Sequence, residues 1–255
     1  MSRQPASKAP PPRNFTQLRP VAYDIGISCS AAGSCYVTLG DTKVKCCVNA
    51  PRPCNKRLFD EVGLLNIEVR FSRPDMRPSC SFDLASVLTD VFERHLLLRR
   101  YPHQLIDAWI TIEEDAGGLF SACITGLCLA FADCGIHMPD LVSAASAYAF
   151  RDPKGNLTLA LDLSDKESSY FEQTDPGLTS VHLAYCPNMN TIACLLQSGE
   201  HTDSALLDKL LTTTQAACGV VAGEMTVSLQ DYVEWTQERD HDAVPAVGHY
   251  SELTP

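Results

Sequence analysis

The sequence lacks any apolar run close to the roughly 20 residues that a membrane-spanning helix needs. Its N-terminus also lacks the apolar core of a secretory signal peptide. We therefore expect an intracellular protein that does not attach to a membrane. With 255 residues, of which 45% are hydrophobic and 20% charged, the chain can bury a substantial core as one large domain or two small ones.

Disulfide and metal frameworks are also missing from the cysteine pattern. The twelve cysteines include no Cys-x-x-Cys pair, and without a secretory signal they fit buried reduced thiols better than disulfides. Cys134 and His137 have a separation that zinc ligands use, but no second pair has matching spacing. A zinc site is a minor alternative, and we expect neither a metal nor another cofactor.

Positive charge is scarce, because 20 Lys and Arg residues stand against 31 Asp and Glu residues and give a net charge of −11. Such a chain does not suit wrapping nucleic acid by itself, since that binding neutralises phosphates with Lys and Arg. Residues 43–57 and 70–77 are nevertheless basic. A local basic surface on an acidic body suits a subunit that touches RNA as one wall of a larger assembly. A solvated face without a partner explains the charge equally well.

The chain divides into a tail, one domain and a second tail. Residues 1–14 are basic, rich in proline and poor in apolar residues, which predicts a disordered tail. A mitochondrial presequence is a weaker alternative, because three consecutive prolines disfavour the amphipathic helix that it needs. Residues 15–238 are expected to form the domain, and residues 239–255 a flexible C-terminal tail.

Hydrophobic periodicity predicts the elements of this domain. Strands are expected at 23–29, 35–39, 44–48, 65–71, 105–112, 141–150, 157–163, 181–185 and 192–197. Helices are expected after Asp83, over 121–134 and from about residue 202, the last with Gly219 and Gly223 as candidate breaks. Clustered strands with interspersed helices favour an α+β domain over a doubly wound sheet.

The most informative motif lies at residues 115–126, where a Gly-Gly turn leads into a helix of small residues. The N–H groups and positive dipole end of such a helix suit a phosphate. Phe120 stands where a cation beside the anion would be expected. The motif therefore has the frame of an anion-binding loop without its positively charged side chain.

This loop resembles the phosphate loop of the RNase PH family, whose pattern is Gly-Gly-Thr-Arg-Thr-Ala-Ala-Ile-Thr-Gly. Gly117 and Gly118 match, whereas Leu119 stands at the Thr position and Phe120 at the Arg position. The similarity covers roughly residues 18–235, and it includes an opening block of Gly-Ser, Gly-x-Thr-Lys-Val and a closing Pro-Arg at Arg52. Among the branches of the family, the combination looks most like the mRNA-transport-regulator branch of the eukaryotic RNA exosome ring.

The resemblance implies the RNase PH fold, an α+β fold like ribosomal protein S5 domain 2, with mixed sheets and packed helices. It also implies partners: other RNase PH-like ring subunits, in a heterodimer within a hexameric ring, and cap subunits of the S1/KH type. RNA would pass through the assembled channel. The location implied is the nucleus, including the nucleolus, and the cytoplasm.

The resemblance also identifies what the site has lost. A second family Arg aligns with Cys80, and in the family's acidic motif Asp162 matches the first acid while Ser168 replaces the second. A phosphorolytic site must bind an anion and stabilise the charge that develops at the transferred phosphorus. The planar guanidinium of an Arg suits both tasks. We therefore predict a protein that is not an enzyme, in which Asp162 forms structural hydrogen bonds. The degenerate phosphate site would comprise Gly117, Gly118, Leu119, Phe120 and Ser121, and the degenerate acidic site Asp162 and Ser168.

Two alternatives stay open. An active phosphate-dependent 3'-5' exoribonuclease would need Asp165 or Glu167 to replace Ser168, and Arg77 to reach the pocket. A protein of the same fold could also serve another assembly.

The two basic segments, residues 43–57 and 70–77, correspond to regions with which the family lines its central channel. The resemblance therefore implies RNA contacts at Arg52, Lys56, Arg57, Arg73 and Arg77.

Overall fold

The computed structural model describes residues 15–54, 62–73, 82–151, 157–175, 177–199 and 203–243. The first elements are β1 (Val21–Ile25), β2 (Gly33–Leu39), β3 (Thr42–Val48), β4 (Arg52–Pro53) and β5 (Leu64–Phe71). Next come α1 (Leu84–His95), a 3₁₀ turn (Leu98–Arg100), β6 (Gln104–Glu114), α2 (Leu119–Asp133), β7 (Ser143–Arg151) and β8 (Leu157–Leu161). The last are α3 (Asp165–Thr174), β9 (Thr179–Cys186), β10 (Thr191–Ser198) and α4 (Ser204–Ala243).

The strands form two sheets. The first has the order β1-β2-β3-β6-β4, with β5 also paired to β6, and the second has the order β10-β9-β7-β8. All pairs are antiparallel except β5 and β6, which run parallel from Leu64 opposite Leu105 to Phe71 opposite Ile112. One parallel pair in an otherwise antiparallel arrangement, with helices packed on it, confirms the predicted α+β class and mixed sheets.

Helix α2 is the centre of the fold, because it lies against β2 and β3 of the first sheet and β7 of the second. Its residues from Leu119 to Phe131 are all buried. Gly126 allows the close approach, since a Cβ atom there would lie 2.6 Å from Val37 Cγ2 and 3.0 Å from Cys46 Sγ. The sequence prediction of a central helix that is apolar all round is confirmed.

We expect Gly126→Ala to lower the free energy of unfolding by about 1–3 kcal/mol, because overpacking displaces neighbours in a closely packed core. The matched control is Gly219→Ala on α4, where an added Cβ meets nothing within 4 Å. That change should stabilise by about 0.5–1 kcal/mol through helix propensity. Urea denaturation of both variants measures the two signs, and a stabilising Gly126→Ala would contradict this account of the α2 packing.

Several elements differ from the sequence predictions. The two-residue β4, the 3₁₀ turn and α3 were not predicted, and β1 ends four residues early because Gly26 adopts a left-handed φ of 72°. Helix α3 has a readable signal, a capping box in which Ser164 Oγ accepts from Glu167 N and the Glu167 carboxylate accepts from Ser164 N. The pattern Ser-x-x-Glu was present in the sequence but was overlooked.

Gly219 and Gly223 do not interrupt α4, so that prediction was wrong. The helix has 40 residues and continues to Ala243, into the segment predicted as the C-terminal tail. Each glycine costs a helix about 1 kcal/mol, and the burial of neighbours such as Val221 and Met225 offsets that cost. Near its end, the Arg239 guanidinium lies 4.5 Å from the centre of the Trp235 ring, which supports the last turns.

Cysteine usage in the described residues agrees with the predicted reduced thiols. Eleven cysteines are free, and none of these forms a disulfide. Cys35, Cys46, Cys123 and Cys128 are buried between α2 and its neighbours, whereas Cys47 is partly exposed. Burial raises the pKa of the Cys128 thiol to about 12. Within the same residues, no group of His, Cys, Asp and Glu could hold a metal ion, and no helix is long and apolar enough to cross a bilayer.

Candidate functional site: the N-terminus of the central helix

The Gly-Gly turn directly precedes α2 and depends on both glycines. Gly117 has a φ of 95° and Gly118 a φ of 73°, values that other residues rarely adopt. A Cβ atom on Gly117 would lie 2.6 Å from the backbone N of Asp165, and one on Gly118 would lie 2.9 Å from Asp162 Oδ1. The turn therefore brings the start of α2 against the segment between β8 and α3.

Two side chains from the first part of the chain fasten this turn. Thr42 Oγ1 donates to the carbonyl of Gly117 at 2.7 Å and accepts from the N–H of Ala116 at 3.0 Å. The Arg19 guanidinium donates to the same Gly117 carbonyl at 2.9 Å and to that of Ala116 at 3.3 Å. The cation that contacts the turn is thus directed at carbonyl oxygens.

Asp162 is the second anchor of Arg19. Arg19 Nη2 lies 2.6 Å from Asp162 Oδ1, and both Nε and the backbone N of Arg19 donate to Oδ2, at 2.9 Å and 3.1 Å. The two side chains are 8% and 4% exposed, so this is a buried, two-pronged ion pair. The Asp162 backbone has a left-handed φ of 50°. Sequence reasoning missed Arg19, because its partner is 143 positions away.

An aromatic cluster surrounds Phe120 at the start of α2, the position to which the resemblance assigns an Arg. Phe120 is 2% exposed, and its ring centre lies 5.9 Å from that of Phe82 and 6.0 Å from that of His182. Tyr148 packs edge-on against His182 at 5.9 Å. These four residues form what we call the aromatic cluster. Their edge-to-face geometry is the arrangement that aromatic rings prefer.

The aromatic cluster keeps its histidine neutral. His182 Nδ1 lies 2.8 Å from Ser146 Oγ, which in turn lies 3.4 Å from Ser121 Oγ. Desolvation lowers the pKa of His182 to about 4, because the surrounding protein cannot hydrate an imidazolium. At neutral pH the site therefore has no positive charge from this residue, and an anion gains no electrostatic attraction from it.

The stability of the protein should depend on His182 at acid pH. The unfolded chain protonates this residue near pH 6.5 but the folded chain only near pH 4, so stability is lost as the pH falls between these values. The expected loss is about 3 kcal/mol once the pH is below 4. Urea denaturation at pH 7, 5.5 and 4 should give a smaller acid loss for His182→Gln than for the wild type. Equal losses would contradict the depressed pKa.

Asp162 reaches the Gly-Gly turn, whereas the other described residues of the acidic motif are engaged in and around helix α3. Ser168 lies in α3, and its hydroxyl is 3.4 Å from Glu172 Oε1. Glu167, one of the two candidates to replace the missing acid, is 6% exposed and holds the capping box with Ser164. The other candidate, Asp165, has an exposed side chain and donates its backbone N–H to the Ala116 carbonyl.

The predicted RNA-contacting residues separate along the first sheet. Arg52 pairs with Leu105, near the start of β6. Leu105 also pairs with Leu64, the first residue of the parallel strand β5. Strand β5 rises about 23 Å over the seven steps from Leu64 to Phe71, and Arg73 lies two residues beyond Phe71. Arg52 donates to Asp107 Oδ2 at 2.7 Å, yet its side chain is 63% exposed. Arg73 is exposed as well.

Four predicted site residues lie outside the described residues: Lys56, Arg57, Arg77 and Cys80. His137, the candidate zinc ligand, lies among the described residues and has a hydrogen-bonding partner. Its Nδ1 lies 2.8 Å from the Tyr101 hydroxyl, which in turn accepts from the His137 backbone N–H. His137 is thus engaged with Tyr101.

Comparison with known proteins extends these observations. Residues 17–137 match the model of a family described as the 3' exoribonuclease family, domain 1. The exosome complex component Rrp41 of Thermococcus kodakarensis is 29% identical over 238 residues, which are 89% of this chain and 90% of that protein. Rrp41 of Pyrococcus furiosus is 27% identical over the same length.

Two solved structures have a similar fold at 19% sequence identity. Rice (Oryza sativa) Rrp46 superposes with a TM-score of 0.72 and covers 85% of this chain and 98% of its own. A chain of an archaeal exosome core superposes with a TM-score of 0.64 over 84% of this chain and 89% of its own. The predicted RNase PH fold is confirmed, and these relatives by sequence are named exosome complex components.

Proposed function

We propose that this chain, which has the RNase PH fold, is a non-catalytic structural subunit of an RNA exosome core ring. It supports 3'-5' processing and degradation of RNA by scaffolding the ring and by contacting RNA in the channel. Among the ring components, we propose that it corresponds to the mRNA-transport-regulator subunit, which its sequence motifs resemble most. The relatives named as exosome components support the assembly, and the degenerate site supports the absence of catalysis.

The observation that carries the proposal is the packing of Phe120. Phosphate at the N-terminus of α2 would need a cation beside it, and an Arg fork contributes charge-assisted hydrogen bonds of about 1.5–3 kcal/mol each. Phe120 instead closes the position with a buried ring against Phe82 and His182. Arg19, which contacts the turn, already bonds Asp162 and two carbonyls.

The edges of the second sheet support association with other subunits. β10 is an edge strand, and its Ile192 and Leu195 are 54% and 41% exposed. Met189, just before the strand, is 50% exposed. A sheet edge with exposed apolar side chains is a surface that proteins usually cover. We propose that another RNase PH-like ring subunit covers it, that S1/KH-type subunits cap the ring, and that the assembly works in the nucleus, including the nucleolus, and in the cytoplasm.

Purification of the native protein tests the assembly, and an enzyme assay tests the inert site. Co-purifying chains should include RNase PH-like and S1/KH-type proteins, whereas an isolated monomer or a different set of partners would contradict the ring assignment.

The purified chain, given RNA, phosphate and Mg²⁺, should release no nucleoside diphosphate. Phosphate-dependent release that Asp162→Asn abolishes would instead support an active exoribonuclease.

RNA contact should be sequence-independent and should depend on the two basic segments. A combined replacement by alanine, at Arg52, Lys56, Arg57, Arg73 and Arg77, should weaken RNA crosslinking to this subunit in the assembled complex. Each lost phosphate contact should reduce the salt slope for single-stranded RNA by about 0.7. The control replaces the exposed Lys166 and Lys209, which lie outside these segments, and should leave crosslinking unchanged. Unchanged crosslinking in the five-residue variant would identify the segments as solvated surface.

A further inference from the structure

Three segments of the chain meet at the end of the first sheet where strand β6 begins. Strand β4 pairs with the first two residues of β6, and the N–H of Cys54 donates to the His103 carbonyl at 2.9 Å. The N–H of Gly63, just before β5, donates to the Leu98 carbonyl in the 3₁₀ turn at 2.9 Å. These bonds hold the ends of β4 and β5 against the connection between α1 and β6.

The 3₁₀ turn in this connection is fixed by its neighbours. Leu98 is buried, and the N–H of Leu97 donates to the His137 carbonyl at 3.0 Å. The Tyr101 hydroxyl lies 2.8 Å from His137 Nδ1 and accepts from the His137 backbone N–H at 3.1 Å. The backbone of the turn is therefore preformed, and a ligand that binds there does not have to order it.

Three exposed arginines lie in these segments. Arg99 and Arg100 belong to the turn, and both are exposed. Within the described residues, neither of them forms an ion pair. Arg52 belongs to β4, and its guanidinium bonds the buried Asp107 while its side chain stays 63% exposed. We call Arg52, Arg99 and Arg100 the arginine surface.

The charge around the arginine surface is positive. Three arginines and two histidines, but no Asp or Glu, occur in the described segments that meet there, residues 50–54, 62–64, 97–105 and 135–139. The chain as a whole has a net charge of −11, so these segments differ from the average of the molecule. An anion that approaches this end of the sheet meets cations before it meets carboxylates from the same segments.

The other end of β6, about 33 Å away, has a different arrangement of charge. Its basic side chains are neutralised by partners on neighbouring positions. Lys43 Nζ lies 3.1 Å from Glu114 Oε2, and Arg70 Nη2 lies 2.6 Å from Glu68 Oε2. The unpaired guanidinium groups of Arg99 and Arg100 therefore distinguish the start of β6 from its end.

We propose that the arginine surface binds the phosphate backbone of single-stranded RNA, which adds Arg99 and Arg100 to the contacts proposed above. A planar guanidinium donates two parallel hydrogen bonds to a phosphate, and the two adjacent arginines offer two such groups. Arg52 adds a third, which its ion pair with Asp107 holds in place. The contact is independent of sequence, because phosphates carry no information about the bases. This inference rests on the proposed role of the chain as a ring subunit that contacts RNA.

Binding of a labelled RNA to the assembled complex tests the arginine surface. The complex that contains the full-length chain is titrated into a fluorescein-labelled oligouridylate, and the anisotropy is followed at several salt concentrations. Arg99→Gln with Arg100→Gln should weaken binding by about tenfold, because two exposed ion pairs are lost. The salt slope should fall by about 1.4, which is about 0.7 for each phosphate contact.

Two control variants separate this contact from a general loss of charge. Arg151→Gln with Lys166→Gln removes the same charge from exposed positions in β7 and α3, and it should leave the affinity and the salt slope unchanged. Arg99→Lys with Arg100→Lys keeps the charge at the turn and should retain the salt slope of the wild type. All the substituted side chains are exposed, so the variants should unfold in urea at the same concentration as the wild type.

The outcomes distinguish this proposal from the proposed function. An unchanged affinity and salt slope in the glutamine variant would overturn the arginine surface, while the ring assignment would still depend on the co-purifying chains alone. If a labelled polyglutamate binds more tightly than the oligouridylate, and the glutamine variant loses that binding, the surface takes an acidic protein segment and the RNA proposal is wrong. An equal loss in the Arg151 and Lys166 variant would likewise contradict a contact at this turn.

Discussion

Replacing Phe120 with arginine should destabilise the protein by about 4 kcal/mol without creating phosphorolysis, because it buries an unpaired charge in the aromatic cluster. Phe120 is 2% exposed, and its neighbours Phe82 and His182 offer no carboxylate to a guanidinium. The matched control Phe120→Leu keeps an apolar side chain in the position and should cost less than about 1.5 kcal/mol. Urea denaturation gives both values, and release of nucleoside diphosphate is measured in parallel.

The same substitution also separates the two functional hypotheses. Groups that act as a unit in catalysis are strongly non-additive, so one restored cation should recover little activity while position 80 lacks its Arg and position 168 its carboxylate. We expect measurable turnover only from the joint changes Phe120→Arg, Cys80→Arg and Ser168→Asp. A carboxylate at 168 would lie beside Glu172, whose Oε1 is 3.4 Å from the present hydroxyl, and this repulsion should limit the recovery. Phosphate-dependent release by the Phe120→Arg variant alone, at wild-type stability, would overturn both expectations.

The ion pair between Arg19 and Asp162 should be the most costly polar contact to break. Arg19→Met leaves Asp162 buried without its main partner, and such a loss costs about 3–5 kcal/mol. The matched control is Arg70→Met, which breaks the exposed pair with Glu68 at 66% and 45% exposure. An exposed pair contributes about 0–1 kcal/mol, so the control should be nearly neutral.

The double change Arg19→Met with Asp162→Leu distinguishes a stabilising pair from a costly isolated charge. Because it removes both charges, it should cost several kcal/mol less than the sum of the single changes. Denaturant unfolding of the four proteins completes the cycle. Exchange of the Ala116 and Gly117 amide hydrogens should also become faster in Arg19→Met, because the turn opens more often when Arg19 no longer holds it through the two carbonyls. Arg19→Met with the stability of Arg70→Met would contradict a structural role for the pair.

Local patterns in the sequence predicted most of the elements. The helix over 121–134 and the strands over 35–39 and 65–71 were predicted within two residues, because their apolar spacing and burial agree. A prediction failed where the low helix propensity of a residue is outweighed by the free energy that its helix gains from tertiary packing. The two glycines of α4 are poor helix formers, yet the helix continues through them because its other residues pack on β7 and β9.

The sequence by itself determined the class of fold, the Gly-Gly turn before the central helix, and the absence of an Arg at position 120. These depend on residue types and on spacings within one element, which local sterics and periodicity control. Only the tertiary structure decided how the space around the turn is used. Arg19 and Asp162 are 143 positions apart, and Phe120 in helix α2 meets His182 in strand β9 of the second sheet, so no local pattern pairs them. Such contacts form because buried charges and rings must find partners wherever the folded chain brings them together.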